Sequence, residues 1–315
     1  MVVEQSEYIM AEVKKAFTGK DEIVKKVLMT IYAGGHILLE DCPGVGKTTL
    51  VLAFAKALGL DFKRVQFTTD TTPSDITGFT MLNKADNKFE YHEGAVMCNL
   101  LLADEINRTS PKTQSALLES MEERSVTVDG VTHELPHPFI CIATQNPQGA
   151  SGTHPLPESQ LDRFMVKLSI GYPSCEDQIK ILNARRYTNP LNEIKAIGNA
   201  QSISQVHDYL SSIKVTDDVM RYAITLCEET RKHPLVELGV SPRGVIALVT
   251  LSRANALIDR RNYVVPEDIQ SVYADVCAHR LVLRPQSVVE GVSRNDILSE
   301  ILTRVKPPAT IRGSR

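Results

Sequence analysis

Residues 36–49 read HILLEDCPGVGKTT, an apolar run of strand length, then a turn with two glycines, then Lys-Thr-Thr opening the apolar stretch LVLAFAKAL (50–58). A strand, a glycine-rich loop and a helix in that order are the context a phosphate-binding loop requires. Gly44 and Gly46 let backbone N–H groups turn inward around an anion. A helix starting at Lys47 adds the positive end of its dipole. Lys47 is then expected to reach the β- and γ-phosphates of a nucleotide, and the Thr48 hydroxyl to ligate Mg2+. The expected contact is the whole loop: Asp41, Cys42, Pro43, Gly44, Val45, Gly46, Lys47, Thr48 and Thr49. One position departs from the usual pattern, since Asp41 stands where glycine is customary.

The loop constrains the rest of the chain, because it belongs to parallel sheets covered by helices. Further runs fit that requirement: the strand-like FKRVQF (62–67) and the apolar NLLLAD (99–104), FICIATQ (139–145) and MVKLSI (165–170). Nearly all-apolar strands alternating with helical stretches such as 21–33 and 111–123 indicate a parallel sheet buried on both faces. The run at 100–105 ends in two carboxylates, and the carboxyl ends of such strands are where ligands gather. Asp104 is expected to hold Mg2+ through water, and Glu105 to polarise the water that attacks the γ-phosphate.

After about residue 173 the pattern changes. Residues 176–187, 203–212, 216–231, 242–260 and 266–281 carry helical periodicity, and no convincing strand stands among them. The boundary falls within 172–200, where Pro173, Pro190 and Gly198 punctuate the chain. This predicts an α/β nucleotide-binding core over 1–185, a helical domain over 186–305 and a disordered tail over 306–315. Two segments interrupt the α/β pattern. Residues 78–94 place Asn83, Asp86 and Asn87 between apolar flanks, and 124–138 contain Asp129-Gly130, a strong hairpin signal. Both read as hairpins projecting from the core.

Composition removes several classes of function. With 35 Lys plus Arg against 38 Asp plus Glu, the net charge is −3, which argues against a nucleic-acid coat or a polybasic membrane binder. No apolar run approaches the roughly 18 residues of a membrane span. MVVEQSEYIM carries acids where a signal peptide has Lys or Arg. The six cysteines show no CxxC spacing, so neither a zinc ribbon nor a disulfide framework is expected. A reduced cytoplasmic protein is the simplest reading. His133 and His137 have a helical metal spacing, but Pro136 and Pro138 forbid a helix there. Glu119, Glu122 and Glu123 read as a solvated helix face.

With Asn146 in ATQNP (143–147) and Arg163 in QLDRF (160–164), these motifs closely resemble AAA+ ATPases of the MoxR family. The resemblance spans about residues 15–305 and includes LLADEINRTSPKTQSALLESMEE (101–123), VTVDGVTHELP (126–136) and SPRGVIALVTLSRANAL (241–257). The LLEDxPGVGKT form is common in that family, which accounts for Asp41. The resemblance implies a P-loop AAA+ core, with its parallel sheet flanked by helices, and a C-terminal all-α lid. It makes Asn146 the sensor-1 residue that positions the lytic water. Arg163 becomes an arginine finger offered to a neighbouring subunit, and Arg243 a sensor 2 reaching the γ-phosphate from the lid. Gly19 and its neighbours would border the adenine. Segments 78–94 and 124–138 correspond to the helix-2 insert and the pre-sensor-1 hairpin of this branch.

The same resemblance implies hydrolysis of MgATP to ADP and phosphate, with nucleotide between core and lid. Each site is completed by a neighbour, so a homo-oligomeric ring, a hexamer, is expected. MoxR-type proteins act as chaperone-like remodelling motors on client proteins, often ones carrying a von Willebrand factor A domain, or in metal-cofactor insertion. Two other readings fit the core motifs: a nucleic-acid-dependent motor, and a slow nucleotide-gated adaptor. The near-neutral charge and the lack of a nucleic-acid module weigh against the first. The intact Asp104-Glu105 pair weighs against the second.

Overall fold

The computed structural model describes residues 2–85, 87–146, 153–186 and 188–308. Asp86, Pro147 and the tail from residue 309 onward lie outside the described residues. The chain opens with α1 (Val2–Ala16) and α2 (Asp21–Tyr32) and enters the sheet at β1 (Ile37–Glu40). Next come α3 (Lys47–Ala57), β2 (Phe62–Gln66), α4 (Pro73–Thr77) and a hairpin of β3 (Gly78–Asn83) and β4 (Lys88–Glu93). β5 (Leu100–Asp104) leads through α5 (Pro111–Glu123) to a second hairpin, β6 (Ser125–Val128) and β7 (Val131–Glu134). β8 (Ile140–Gln145), α6 (Glu158–Leu161), β9 (Val166–Leu168) and α7 (Cys175–Ala184) follow. The C-terminal part contains α8 (Ala200–Leu210), α9 (Asp217–Lys232), β10 (Val236–Leu238) and α10 (Pro242–Ile258). It ends with α11 (Pro266–Cys277), β11 (Val282–Leu283), α12 (Pro285–Val289) and α13 (Arg294–Arg304).

The five anticipated strands form one sheet in the order β2-β5-β8-β1-β9, every neighbouring pair parallel. Successive side chains of a strand point to opposite faces, and here they feed two separate cores. Leu38, Leu101, Ala103, Cys141 and Ala143 pack with α5 residues and the hairpin residues Val126 and Leu135. Leu39, Leu100, Leu102, Ile140 and Ile142 belong to a larger cluster that contains α1, α2 and α3 and runs without a break into the C-terminal helices. The lid is therefore packed onto the sheet's own core, with α10 against α2 and α11 against β9.

Both hairpins form where the turn chemistry places them. Two features differ from the sequence reading. The C-terminal part is not wholly helical, since β10 pairs antiparallel with β11. Strands of three and two residues are too short to display alternation. The chain also begins with a helix, α1, in which Ile9 and Val13 form a narrow buried stripe continued by Phe17 just past its end.

Candidate functional site

Register decides which side chains meet at the carboxyl edge of the sheet. Gln66 lies opposite Asp104, and Glu40 opposite Gln145, so β2, β5, β8 and β1 end side by side. The phosphate loop leaves β1 there, and Asn146 directly follows β8. Gly46 is the N-cap of α3 with φ 97°, a left-handed conformation that costs glycine little. A Cβ on it would stand 3.3 Å from the Phe17 ring. The Lys47 ammonium donates to the Asp41 carbonyl at 2.7 Å, folded back within its own loop. Thr48, next along α3, is half-buried.

The Asp104-Glu105 pair is held more elaborately than its sequence suggests. Asp104 is buried and accepts from the Thr144 hydroxyl and from Arg64 Nη2, each at 2.7 Å. Thr144 Oγ1 also accepts from the Glu105 N–H at 2.9 Å. Glu105 has φ 58°, a left-handed conformation uncommon outside glycine that clusters at functional sites. Its Oε2 accepts from Gln66 Nε2 at 3.0 Å and from Arg108 Nη1 at 2.9 Å. Arg64, Gln66, Arg108 and Thr144 escaped the sequence reading. The β2/β5 and β5/β8 registers bring Arg64, Gln66 and Thr144 to these carboxylates, whereas Arg108 reaches Glu105 from three residues along the turn after β5.

Beside the loop is a cavity of about 300 Å3, lined among others by Phe17, Thr18, Lys20, Gly44, Gly46, Thr49, Gly171, Ile181 and Arg185. Gly19 lies just behind it, against the Asp177 carboxylate, while its neighbours line the wall. No lining residue comes from 186–305, so this cavity lies among α1, the loop and α7 rather than between core and lid. The Asp41 carboxylate accepts from the Ser169 hydroxyl and the Gly171 N–H, each at 3.0 Å, and from the Ile170 N–H. Its side chain ties the phosphate loop to the segment after β9. That is a use for a carboxylate at a position where glycine is customary.

Thr48 and Asp104 supply a hydroxyl and a carboxylate, hard oxygen donors that suit Mg2+. Among the described residues no group of three or more His, Cys, Asp or Glu is placed to hold a metal. A Mg2+ that keeps several waters and is shared with substrate phosphates needs no such cage.

The structure carries Arg163 and Arg243 to the other edge of the sheet. Residues 162–165 precede β9, so they stand at its amino end beside Gly34–His36, which precede β1. The Met165 N–H donates to the His36 carbonyl at 2.8 Å. A four-residue strand alone separates the two edges by about 13 Å. Both arginines meet one carboxylate: Arg163 Nε lies 3.1 Å from Glu122 Oε2, and Arg243 Nη2 bonds Glu122 Oε1. Glu122 is thus not simply a solvated face residue. Arg243, from the helix N-terminus of α10, comes to Arg163 and not to the phosphate loop of its own chain.

Asp162 does not pair with its neighbour Arg163. It accepts from Arg280 Nε at 2.7 Å and from the Ser241 hydroxyl that caps α10. Arg280 also donates to the Phe164 and Met165 carbonyls. Its side chain is 2% exposed, whereas the side chains of Arg163, Arg243 and Glu122 are 31%, 46% and 35% exposed. Breaking a buried, hydrogen-bonded pair costs far more than breaking an exposed one. Asp162→Ala is expected to lower the unfolding free energy by about 3 kcal/mol, read as a shift of the urea midpoint. A loss below about 1 kcal/mol would mean that this pair does not fasten the lid.

The described residues contain no helix long and apolar enough to cross a membrane. The family described as "ATPase family associated with various cellular activities (AAA)" matches residues 36–166, and "AAA lid domain" matches 228–301. The chain is 46% identical to the uncharacterized protein YeaC of Bacillus subtilis, over 94% of this chain and 92% of that one. It is 37% identical to chaperone MoxR1 of Mycobacterium tuberculosis, over 94% and 81% of the two chains. Identity to protein MoxR of Methylorubrum extorquens is 30%, over 93% and 91%. A crystal structure described as that of a "putative ATPase" from Cytophaga hutchinsonii superposes with a TM-score of 0.91 at 35% identity, covering 98% of this chain and 96% of that one. Motifs, sheet order and relatives agree, and the chain belongs to the MoxR family of AAA+ ATPases.

Proposed function

We propose that this protein hydrolyses MgATP to ADP and phosphate as a ring of identical subunits, a hexamer, and uses the cycle to remodel a partner protein. The carrying observation is the division of the catalytic set between opposite edges of one sheet. Lys47, Thr48, Asp104, Glu105 and Asn146 stand at the carboxyl edge, and Arg163 and Arg243 at the amino edge. One subunit cannot bring both sets to one nucleotide, whereas two adjacent subunits can. Arg243 then serves the γ-phosphate bound by a neighbour rather than its own.

In this reading the phosphate loop and the cavity beside it bind the nucleotide, with Phe17 to Lys20 toward the base. Glu105 accepts the proton of the attacking water, and Asn146 orients that water. Thr48 and Asp104 hold Mg2+, which supplies charge neutralisation at the phosphates when bound. The core is residues 1–185 and the lid 186–305. The chaperone role is favoured by the name of the 37% relative. The reading extends to a client carrying a von Willebrand factor A domain or awaiting a metal cofactor, and to a cytoplasmic location.

Lys47→Ala tests the nucleotide site. Loss of the ammonium removes a contact made in the ground state as well as in the transition state, so binding itself weakens. Calorimetric titration with MgADP is expected to give a dissociation constant raised by about tenfold or more, the equivalent of one charged hydrogen bond. Unchanged affinity would remove the loop from this role.

A further inference from the structure

We propose that Arg124 is a third guanidinium of the site formed by Arg163 and Arg243, contacting the same phosphoryl group of a nucleotide bound by a neighbouring copy. The proposal rests on the shared-site reading above. Arg124 lines the same cavity of about 360 Å3 as those two arginines. That cavity holds four guanidiniums, with Arg280 the fourth, against two carboxylates, Glu122 and Asp162. The carboxylates are already engaged by Arg163, Arg243 and Arg280. Arg124 is exposed and, among the described residues, has no carboxylate partner. His36, at the cavity floor, adds no charge at neutral pH, since burial pushes its pKa down to about 4. The cavity thus has a cationic surplus that suits the charge of a terminal phosphate.

The backbone at Arg124 points the same way. It terminates α5 with φ 54° and ψ 26°, a left-handed cap at which helices commonly place glycine. An arginine held there accepts a strained backbone for its side chain. A cation near a helix C-terminus gains only a small stabilisation from the dipole. Gly34 lies beside Arg124: a Cβ there would meet the His207 ring at 2.9 Å and stand in ordinary contact, 3.5 Å, with Arg124 Nη2.

This conformation supplies a clean test. Arg124→Gly deletes the guanidinium while giving the cap its preferred residue, so the melting temperature is expected to hold or rise. MgATP turnover, measured at concentrations where the wild type is assembled, is expected to fall by about 10²- to 10³-fold in kcat, as for loss of one charge-stabilising donor. KM and MgADP affinity stay within about threefold. Arg124→Lys, which keeps the charge, recovers part of the rate. If Arg163→Ala loses turnover and Arg124→Gly keeps it, the third guanidinium is wrong and the shared site stands. If Arg163→Ala keeps turnover, the shared site itself fails. Inorganic phosphate is expected to leave wild-type turnover unchanged. Stimulation by phosphate that vanishes in Arg124→Gly would make the anion free phosphate and overturn the nucleotide assignment.

Discussion

Glu105→Gln is expected to bind MgATP as the parent does and to lose about 10²- to 10⁴-fold in turnover, the usual contribution of a positioned general base. The substitution keeps the side chain's shape and one oxygen able to accept from Gln66 and Arg108, which now meet Oε2 at 3.0 and 2.9 Å. Glutamine has the same backbone demands as glutamate, so the left-handed conformation at φ 58° is no harder to hold. What the amide lacks is the basicity to take a proton from water. Calorimetry with MgATP measures the retained affinity, and steady-state phosphate release measures the loss. Turnover near the parent's would remove Glu105 from its proposed role.

The expected loss bears on how Glu105 is held. Arg108 and Gln66 engage its carboxylate, and Arg64 and Thr144 engage Asp104. The Arg108–Glu105 pair is the more open, with side chains 54% and 27% exposed, and such pairs are worth about 0–1 kcal/mol. Arg64 is half-exposed, but its partner Asp104 is buried, so that pair is held more firmly. The bond from Thr144 to Asp104 is buried and stays in place.

How much of this was legible in the sequence follows from the range of each interaction. The phosphate loop is local: strand, turn and helix are consecutive, and its glycines announce themselves. The carboxylate pair is local too, as the end of one apolar run. Both hairpins followed from turn residues, and the strands from short runs of strand length, although β2, at the sheet edge, is only partly buried. Glu122 was legible only as one of three acids on a helix, because its partners lie 41 and 121 residues away. The placement of Arg243 beside Arg163 depends on α10 packing against α2 and on Arg280 reaching Asp162, contacts between distant segments. β10 and β11 are too short to have a period, and α1 has a stripe only one residue wide per turn.

Arg163→Ala gives the most direct reading of the proposed ring, because its signature is intermolecular. Arg163 is tied to Glu122 by a partly exposed pair, worth about 0–1 kcal/mol, so it can leave that carboxylate for a phosphate at little cost. Asp162, one residue away, is fastened to the buried Arg280, which anchors the backbone next to Arg163. In related phosphoryl transfers an arginine supplied by a neighbour contributes about 10³–10⁵ in rate, and the lower end is expected here, since Arg243 remains. Arg163→Ala should therefore bind MgATP normally, assemble normally and hydrolyse about 10³-fold more slowly. Wild-type activity per subunit should rise with protein concentration in step with assembly, followed by sedimentation, while the variant stays flat. Mixing it with Glu105→Gln subunits should restore part of the rate, because some interfaces then join an intact Glu105 to an intact Arg163. Full activity of Arg163→Ala at dilutions where the protein is monomeric, with the wild type equally active there, would show that each subunit completes its own site.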